Sequence, residues 1–264
     1  GFTGALGRAT GEAVTNYVIT QGTLTAGINY ELTYIANNFS ITKRAITVTA
    51  DAGQSKTYGD ADLTLTYQVT TGNLITGDAF SGKLGRVAGE AVNTYAITQG
   101  TLSAGNNYAL TFIANNFAIT KRAITVTANT GQSKTYGEAD PALTYQVTTG
   151  SLVTGDAFTG KLSRAVGESV NTYAITQGTL SANTNYEVTF QSNNFAITKR
   201  AITVTANAGQ SKVYGESDLT LTYQITTGNL VTGDAFTGKL SRTTGEAVNT
   251  YAITQGTLSI GTNY

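Results

Sequence analysis

Ile119-Thr-Lys-Arg-Ala-Ile-Thr-Val-Thr-Ala128 decides the reading of this chain, because the same ten residues return at Ile41–Ala50 and Ile197–Ala206, each time 78 residues apart. A fixed period of that length marks an array of like modules. The stretch also changes face in its middle. Before Lys121-Arg122 the apolar residues are Phe117 and Ile119; after it they are Ile124, Val126 and Ala128. Successive side chains of an extended strand point to opposite faces, so a switch from odd to even positions takes the chain from one buried face to another. Lys121-Arg122 is therefore read as a seam between two domains with almost no linker, and Lys43-Arg44 and Lys199-Arg200 as the same seam in the other copies.

Working outward from the seams, the 264 residues divide into a partial repeat 1–44, full repeats 45–122 and 123–200, and a partial repeat 201–264 that lacks its last strand. About three quarters of the positions of the two full repeats are identical. The chain starts at Gly1 with neither Met nor a signal-peptide pattern, so an export signal is expected to lie outside this sequence.

Within 45–122 the pattern is strand after strand. Ala45–Ala50 places Ile46 and Val48 inward and Thr47 and Thr49 outward. Residues 51–55 form a polar turn, and Lys56–Asp60 is a short extended piece ending in a Gly turn. Leu63, Leu65, Tyr67 and Val69 alternate with polar residues, as a half-buried strand does. Leu74 and Ile75 tuck under a connection, Phe80 and Leu84 flank Gly82 in a weaker strand, and 85–93 is a loop. Tyr95 and Ile97, then Tyr108, Leu110 and Phe112, then Phe117 and Ile119 complete the core, with Leu102 as a plug. No segment carries helical spacing over more than two turns. The expectation is an all-β fold of small β-sandwich or β-grasp-like domains, stacked in tandem as a linear rod with a 78-residue period. The core of so small a domain is modest, so neighbouring repeats are expected to support each other across the seam.

Composition narrows function by exclusion. The 16 basic and 16 acidic residues cancel, which leaves no basic field for nucleic acid or anionic lipid. Cys is absent, and disulfides and thiolate metal sites with it; His, the commonest general base and metal ligand, is absent too. No apolar run approaches a membrane-spanning helix. Catalytic, cofactor and metal sites are accordingly expected to be none, and the protein not to be an enzyme.

Three features invite chemistry. The acid pairs Asp60/Asp62, Glu138/Asp140 and Glu216/Asp218 suggest Ca²⁺, but two carboxylates fall short of the six to eight oxygens that ion takes, and Asp51 becomes Asn129 and Asn207 in the other copies. They are read as solvated turn acids. Lys56 and Lys83 invite an isopeptide bond to an Asn or Asp assisted by Glu90; that needs a buried, neutral amine, and both lysines are read instead as lying on an exposed polar face. The Lys-Arg seams are read as solvated joints whose charges discourage edge pairing.

An ordered set of motifs resembles a known family. Tyr-Gly-Asp at Tyr58 (Tyr-Gly-Glu at Tyr136 and Tyr214) is followed by a Leu-Thr-Tyr strand, by Thr-Gly-Asp ending at Asp78, Asp156 and Asp234, by Asn-Thr-Tyr-Ala-Ile-Thr-Gln-Gly-Thr-Leu, and by an Ile-Thr-Lys end. The whole chain resembles the MBG-type tandem repeat with a Tyr-Gly signature, found in long bacterial surface proteins including haemagglutinin-like adhesins. The resemblance implies an extracellular or cell-surface stalk, fibre or adhesin, without catalytic residues to carry over. Tyr58-Gly59 itself reads as a Tyr packed over a turn that only Gly permits cheaply. The partners expected are further copies of the array, end to end. The alternative is an adhesin binding glycan or host protein, and the segments that vary between copies, 105–114 (183–192) and 87–91, would then gather on one face.

Overall fold

A computed structural model describes every residue from Gly1 to Tyr264 and contains strands but no helix. The opening partial repeat carries β1 (Gly7–Arg8), β2 (Asn16–Thr20) and β3 (Asn38–Ser40). The first full repeat carries β4 (Arg44–Ala50), β5 (Gln54–Thr57), β6 (Tyr67–Thr71), β7 (Gly85–Arg86), β8 (Asn93–Thr98), β9 (Tyr108–Ile113) and β10 (Asn116–Thr120). The second repeats them as β11 (Arg122–Ala128), β12 (Gln132–Thr135), β13 (Tyr145–Thr149), β14 (Ser163–Arg164), β15 (Asn171–Thr176), β16 (Tyr186–Gln191) and β17 (Asn194–Thr198). The last partial repeat has β18 (Thr203–Ala206), β19 (Tyr223–Thr227), β20 (Ser241–Arg242) and β21 (Ile253–Thr254). The chain divides into two compact units, Gly1–Arg122 and Ala123–Tyr264.

In the first unit the full repeat makes two sheets, ordered β6-β4-β9 and β5-β10-β8-β7. The pairing is mixed. β4 runs antiparallel to β6 and parallel to β9, and β10 runs parallel to β5 and antiparallel to β8. The reason lies in the chain path: a short turn carries β4 into β5, and the Asn115 bend carries β9 into β10. Each pair passes from one sheet to the other, and the two pairs lie side by side in parallel. Val48 and Ala50 of β4 meet Ile97 of β8 and Phe117 and Ile119 of β10 between the sheets, closed by Leu84 and Leu102. Tyr67 and Phe80 meet edge to face at 5.6 Å on its margin. The second unit builds the same pair of sheets, β13-β11-β16 and β12-β17-β15-β14, around Val126, Ile175, Phe195 and Ile197. The expected all-β tandem architecture is the one observed.

Local expectations needed correction. The half-buried strand over Leu63–Val69 starts only at Tyr67, and Leu63 is 68% exposed. The Gln54 side chain takes the backbone of Thr66, accepting its N–H at 2.8 Å and donating to its carbonyl at 3.1 Å. The chain therefore joins β4 only past that clamp. Ile75 is exposed rather than tucked, whereas Leu74 packs on the Ile46, Ala104 and Tyr108 cluster as expected. The loop expected over 85–93 begins with a short strand, β7.

Candidate functional site

The residues with distinctive chemistry form a four-charge cluster that recurs along the chain. Lys56 lies on β5 opposite Ile119 of β10, and Arg86 lies on β7 opposite Ile97 of β8. Both partners are core residues, so the pleat turns both cations inward rather than to solvent. Lys56 is not on an exposed polar face, as the sequence suggested. Its side chain is 4% exposed, because the alternation that buries Ile119 buries its neighbour on β5 as well. Lys83 does lie on the surface.

Two carboxylates close over these cations. Lys56 Nζ sits 2.6 Å from Asp62 Oδ1 and also pairs with Glu90. Arg86 donates Nε to Asp62 Oδ2 at 2.7 Å and Nη2 to Asp62 Oδ1 at 2.9 Å and Glu90 Oε1 at 2.6 Å. Its Nη1 donates to the carbonyls of Val87, at 3.1 Å, and Gly89, at 2.6 Å. The guanidinium also lies 5.3 Å from the ring centres of both Tyr95 and Phe117, within the range where a cation is attracted to an aromatic face. Lys134, Asp140, Arg164 and Glu168 repeat the cluster, and so do Lys212, Asp218, Arg242 and Glu246.

Electrostatics fix the protonation of the set. The Arg86 and Lys56 hydrogen bonds hold the Asp62 carboxyl down at about 2, and Arg164 with Lys134 does the same for Asp140. Glu90 is lowered by Lys56 and then Arg86. Burial pushes Lys56 down, but the bonds to Asp62 and Glu90 outweigh it and leave the amine above its ordinary value. The structure thus brings together the lysine and the acid that an isopeptide would need, in the wrong charge state. Condensation needs a neutral amine and a protonated acid, and here the amine stays charged while Arg86 keeps Asp62 ionised. The acid pair does not make a cation site either. Asp60 turns to Arg122 while Asp62 turns to Lys56 and Arg86, and no cluster of three or more potential metal-ligating side chains occurs. Asp60, Asp62 and Asp140 are ion-paired rather than simply solvated.

The Thr-Gly-Asp motif has a bracing role. Tyr108 Oη donates to Asp78 at 2.6 Å, which lifts the phenol pKa, and accepts the N–H of Ile75 at 2.8 Å, which offsets part of that rise. Tyr264 with Asp234 and Val231 repeats the brace at 2.6 and 2.8 Å.

The seams are more than solvated joints. In the first unit Arg44 donates to the carbonyl and side-chain oxygen of Asn73, at 3.1 and 2.7 Å, and Asn107 Oδ1 accepts the Val14 N–H from the preceding repeat at 3.0 Å. In the second unit Arg200 donates to Asn229 of the last repeat at 3.0 and 2.9 Å and to Tyr136 O of the preceding one at 3.1 Å. An open groove of about 530 Å³ is lined by 140–143 and 161–168; it takes in 165–168 of the variable segment equivalent to 87–91 but no residue of 183–192.

Sequence reading missed Arg86 as the centre of the cluster. The available signal was Arg86 with Glu90 four residues on, repeated as Arg164/Glu168 and Arg242/Glu246 in step with Lys56, Lys134 and Lys212.

Two packed mixed sheets, copied along one chain and pinned by the same ion pairs, define a tandem all-β repeat protein. The profile of the MBG domain (YGX type) matches residues 1–40, 46–118, 124–196 and 202–264, and the chain belongs to that family. Repeats of this kind occur in surface and adhesin-like proteins. No curated protein and no solved structure matches the chain.

Proposed function

We propose that this chain is a tension-bearing segment of an extracellular bacterial stalk or fibre, in which tandem β-domains act as mechanical units. One observation carries the reading: the first two strands of a repeat are zipped in parallel onto its last two. β4 pairs with β9 over six residues, Arg44↔Tyr108 to Thr49↔Ile113, and β5 pairs with β10 over four, Gln54↔Phe117 to Thr57↔Thr120. Tension that enters a repeat at β4 and leaves at β10 loads those ladders in shear. Their hydrogen bonds must then yield together rather than one at a time.

The charge cluster suits the same role. It ties β5 to the 61–66 segment and β7 with side chains alone, and it needs neither disulfide nor metal. Catalysis has no support in the cluster, whose charges are all matched. Antibody labelling of intact producing cells tests the reading. Surface label that mild proteolysis of whole cells removes is the expected result, and label that appears only after lysis refutes it. The adhesin alternative would bring both variable segments to one surface, but the groove beside 165–168 takes in no residue of 183–192, and that reading is not preferred.

A further inference from the structure

We propose that the Tyr-Gly turn is a docking lug by which one repeat fixes the orientation of the next, and that the partner it fits is a further copy of the same repeat at the positions of Val231 and Tyr264. The inference rests on the array part of the reading above and not on cellular location.

The argument starts from the joint inside the second unit. Tyr136 of the third repeat meets Tyr264 of the fourth edge to face, with ring centres 5.6 Å apart and planes at 77°. Beside it Gly137 approaches the fourth repeat so closely that a Cβ would sit 2.2 Å from Val231 Cγ2. A side chain there would force Val231 aside. Gly137 also has φ +81°, in the left-handed region that glycine tolerates, so the turn and the contact both require it. Arg200 ties the same corner: one end holds Tyr136 O and the other holds Asn229. Asn263 closes the far side by accepting the N–H of Arg200 at 3.0 Å and, through Oδ1, that of Val170 at 2.9 Å. Lys199 Nζ donates to Tyr264 O at 2.8 Å. The receiving residues are themselves braced, since Tyr264 Oη holds both Asp234 and the Val231 N–H. A rigid lug therefore meets a rigid socket.

Each half of the contact also occurs alone in the chain. Ile75 is the counterpart of Val231, and in the first unit the preceding repeat contains no Tyr-Gly turn; Ile75 is 51% exposed. Tyr214 is the counterpart of Tyr136; it is 73% exposed, and Gly215 has nothing within 4 Å of a Cβ. The glycine has the same backbone sign at both places, φ +81° at Gly137 and +86° at Gly215. The steric demand appears only where a repeat is docked. The Tyr214-Gly215 turn is the surface that a further copy would occupy.

The test uses the full chain. It has no Cys, so Thr172→Cys and Thr250→Cys, at exposed equivalent positions in the third and fourth repeats, supply the only two thiols for spin labels. Pulsed electron resonance should give one narrow distance peak in the parent. Gly137→Ala should destroy that narrow peak, while Gly215→Ala, which carries the same backbone strain without a neighbour, should leave it in place. Val231→Phe pushes on the joint from the socket side and leaves the residues of the turn unchanged, and it too should lose the peak. A Gly137→Ala distribution identical to the parent, an equal loss in Gly215→Ala, or an unchanged peak in Val231→Phe would overturn the proposal. The measurement is made on purified protein, so its failure leaves the surface assignment standing, and failure of cell labelling leaves the joint standing.

Discussion

Removing the arginine at the centre of one charge cluster should cost far more than removing the buried lysine beside it. Consider Arg86→Ala against Lys56→Met. Arg86 loses its carboxylate pairs, but Asp62 and Glu90 are 44% and 65% exposed at the side chain and turn to water, so those pairs count for little. The larger losses are two charge-assisted bonds to the Val87 and Gly89 carbonyls and the contacts with the Tyr95 and Phe117 rings. Together these are worth about 2–4 kcal/mol. In Lys56→Met the acids keep Arg86, and an apolar chain of similar volume fills the inward site. The change should stay within about 1 kcal/mol, because Asp62 and Glu90 are part-exposed and still hold Arg86, so no buried charge is left unpaired. Native-state hydrogen exchange, read on peptides covering β8 and β10, separates the two. Arg86→Ala should lower protection there by roughly 30- to 700-fold, at tenfold per 1.4 kcal/mol. Lys56→Met should lower it by less than about tenfold. A larger loss in Lys56→Met, or no loss in Arg86→Ala, would refute the assignment of the arginine as the centre of the cluster.

Three further outcomes follow from the same structure. Asp62 and Asp140 titrate at about 2 when folded against 3.8 ordinarily, so the unfolded chain takes up those protons first. Their contribution is whole above about pH 4 and disappears as pH falls toward 2; that of Lys56, raised above 10.5, disappears only as pH climbs beyond that value. With no His in the chain, thermal melts should be flat between about pH 5 and 9, and a step near pH 6–7 would contradict the charge assignments. Phe117→Ala empties a core position that is 1% exposed and should destabilise the first full repeat by about 3–5 kcal/mol in urea titrations. Gly53→Ala and Gly82→Ala share nearly the same φ, +75° and +74°, but only the second Cβ meets backbone, 2.1 Å from Thr101 O. The first should cost about 1–2 kcal/mol; the second should cost more and break the Ser81–Ser103 bridge, and equal costs would show that the close approach does not matter.

Periodicity made most of the fold legible. The copied stretch Ile119–Ala128 announced the repeat, and period-two alternation located β4, β8, β9 and β10 with their inward residues, because each of those strands buries one face. Alternation misled at Leu63, where the backbone is held by the Gln54 side chain, a long-range contact with no local trace. It misled in the opposite sense at Lys56. A lysine in a polar stretch looks solvated, and only the register with Ile119 reveals that it faces the core. The seams were placed by the change of parity alone, and the contacts of their arginines to Asn73 and Asn229 depend on how a turn 29 residues further on folds back. The Tyr-Gly turn was readable as a turn; its close approach to Val231 was not, since the partner lies 94 residues away in the chain.

Stretching single molecules of the full chain between its ends addresses the central claim that each repeat resists tension as a separate unit. The account predicts discrete ruptures, each full repeat of 78 residues releasing roughly 250–280 Å of chain at about 3.6 Å per residue. A single event that releases the whole chain, or gradual extension without discrete ruptures, would contradict it.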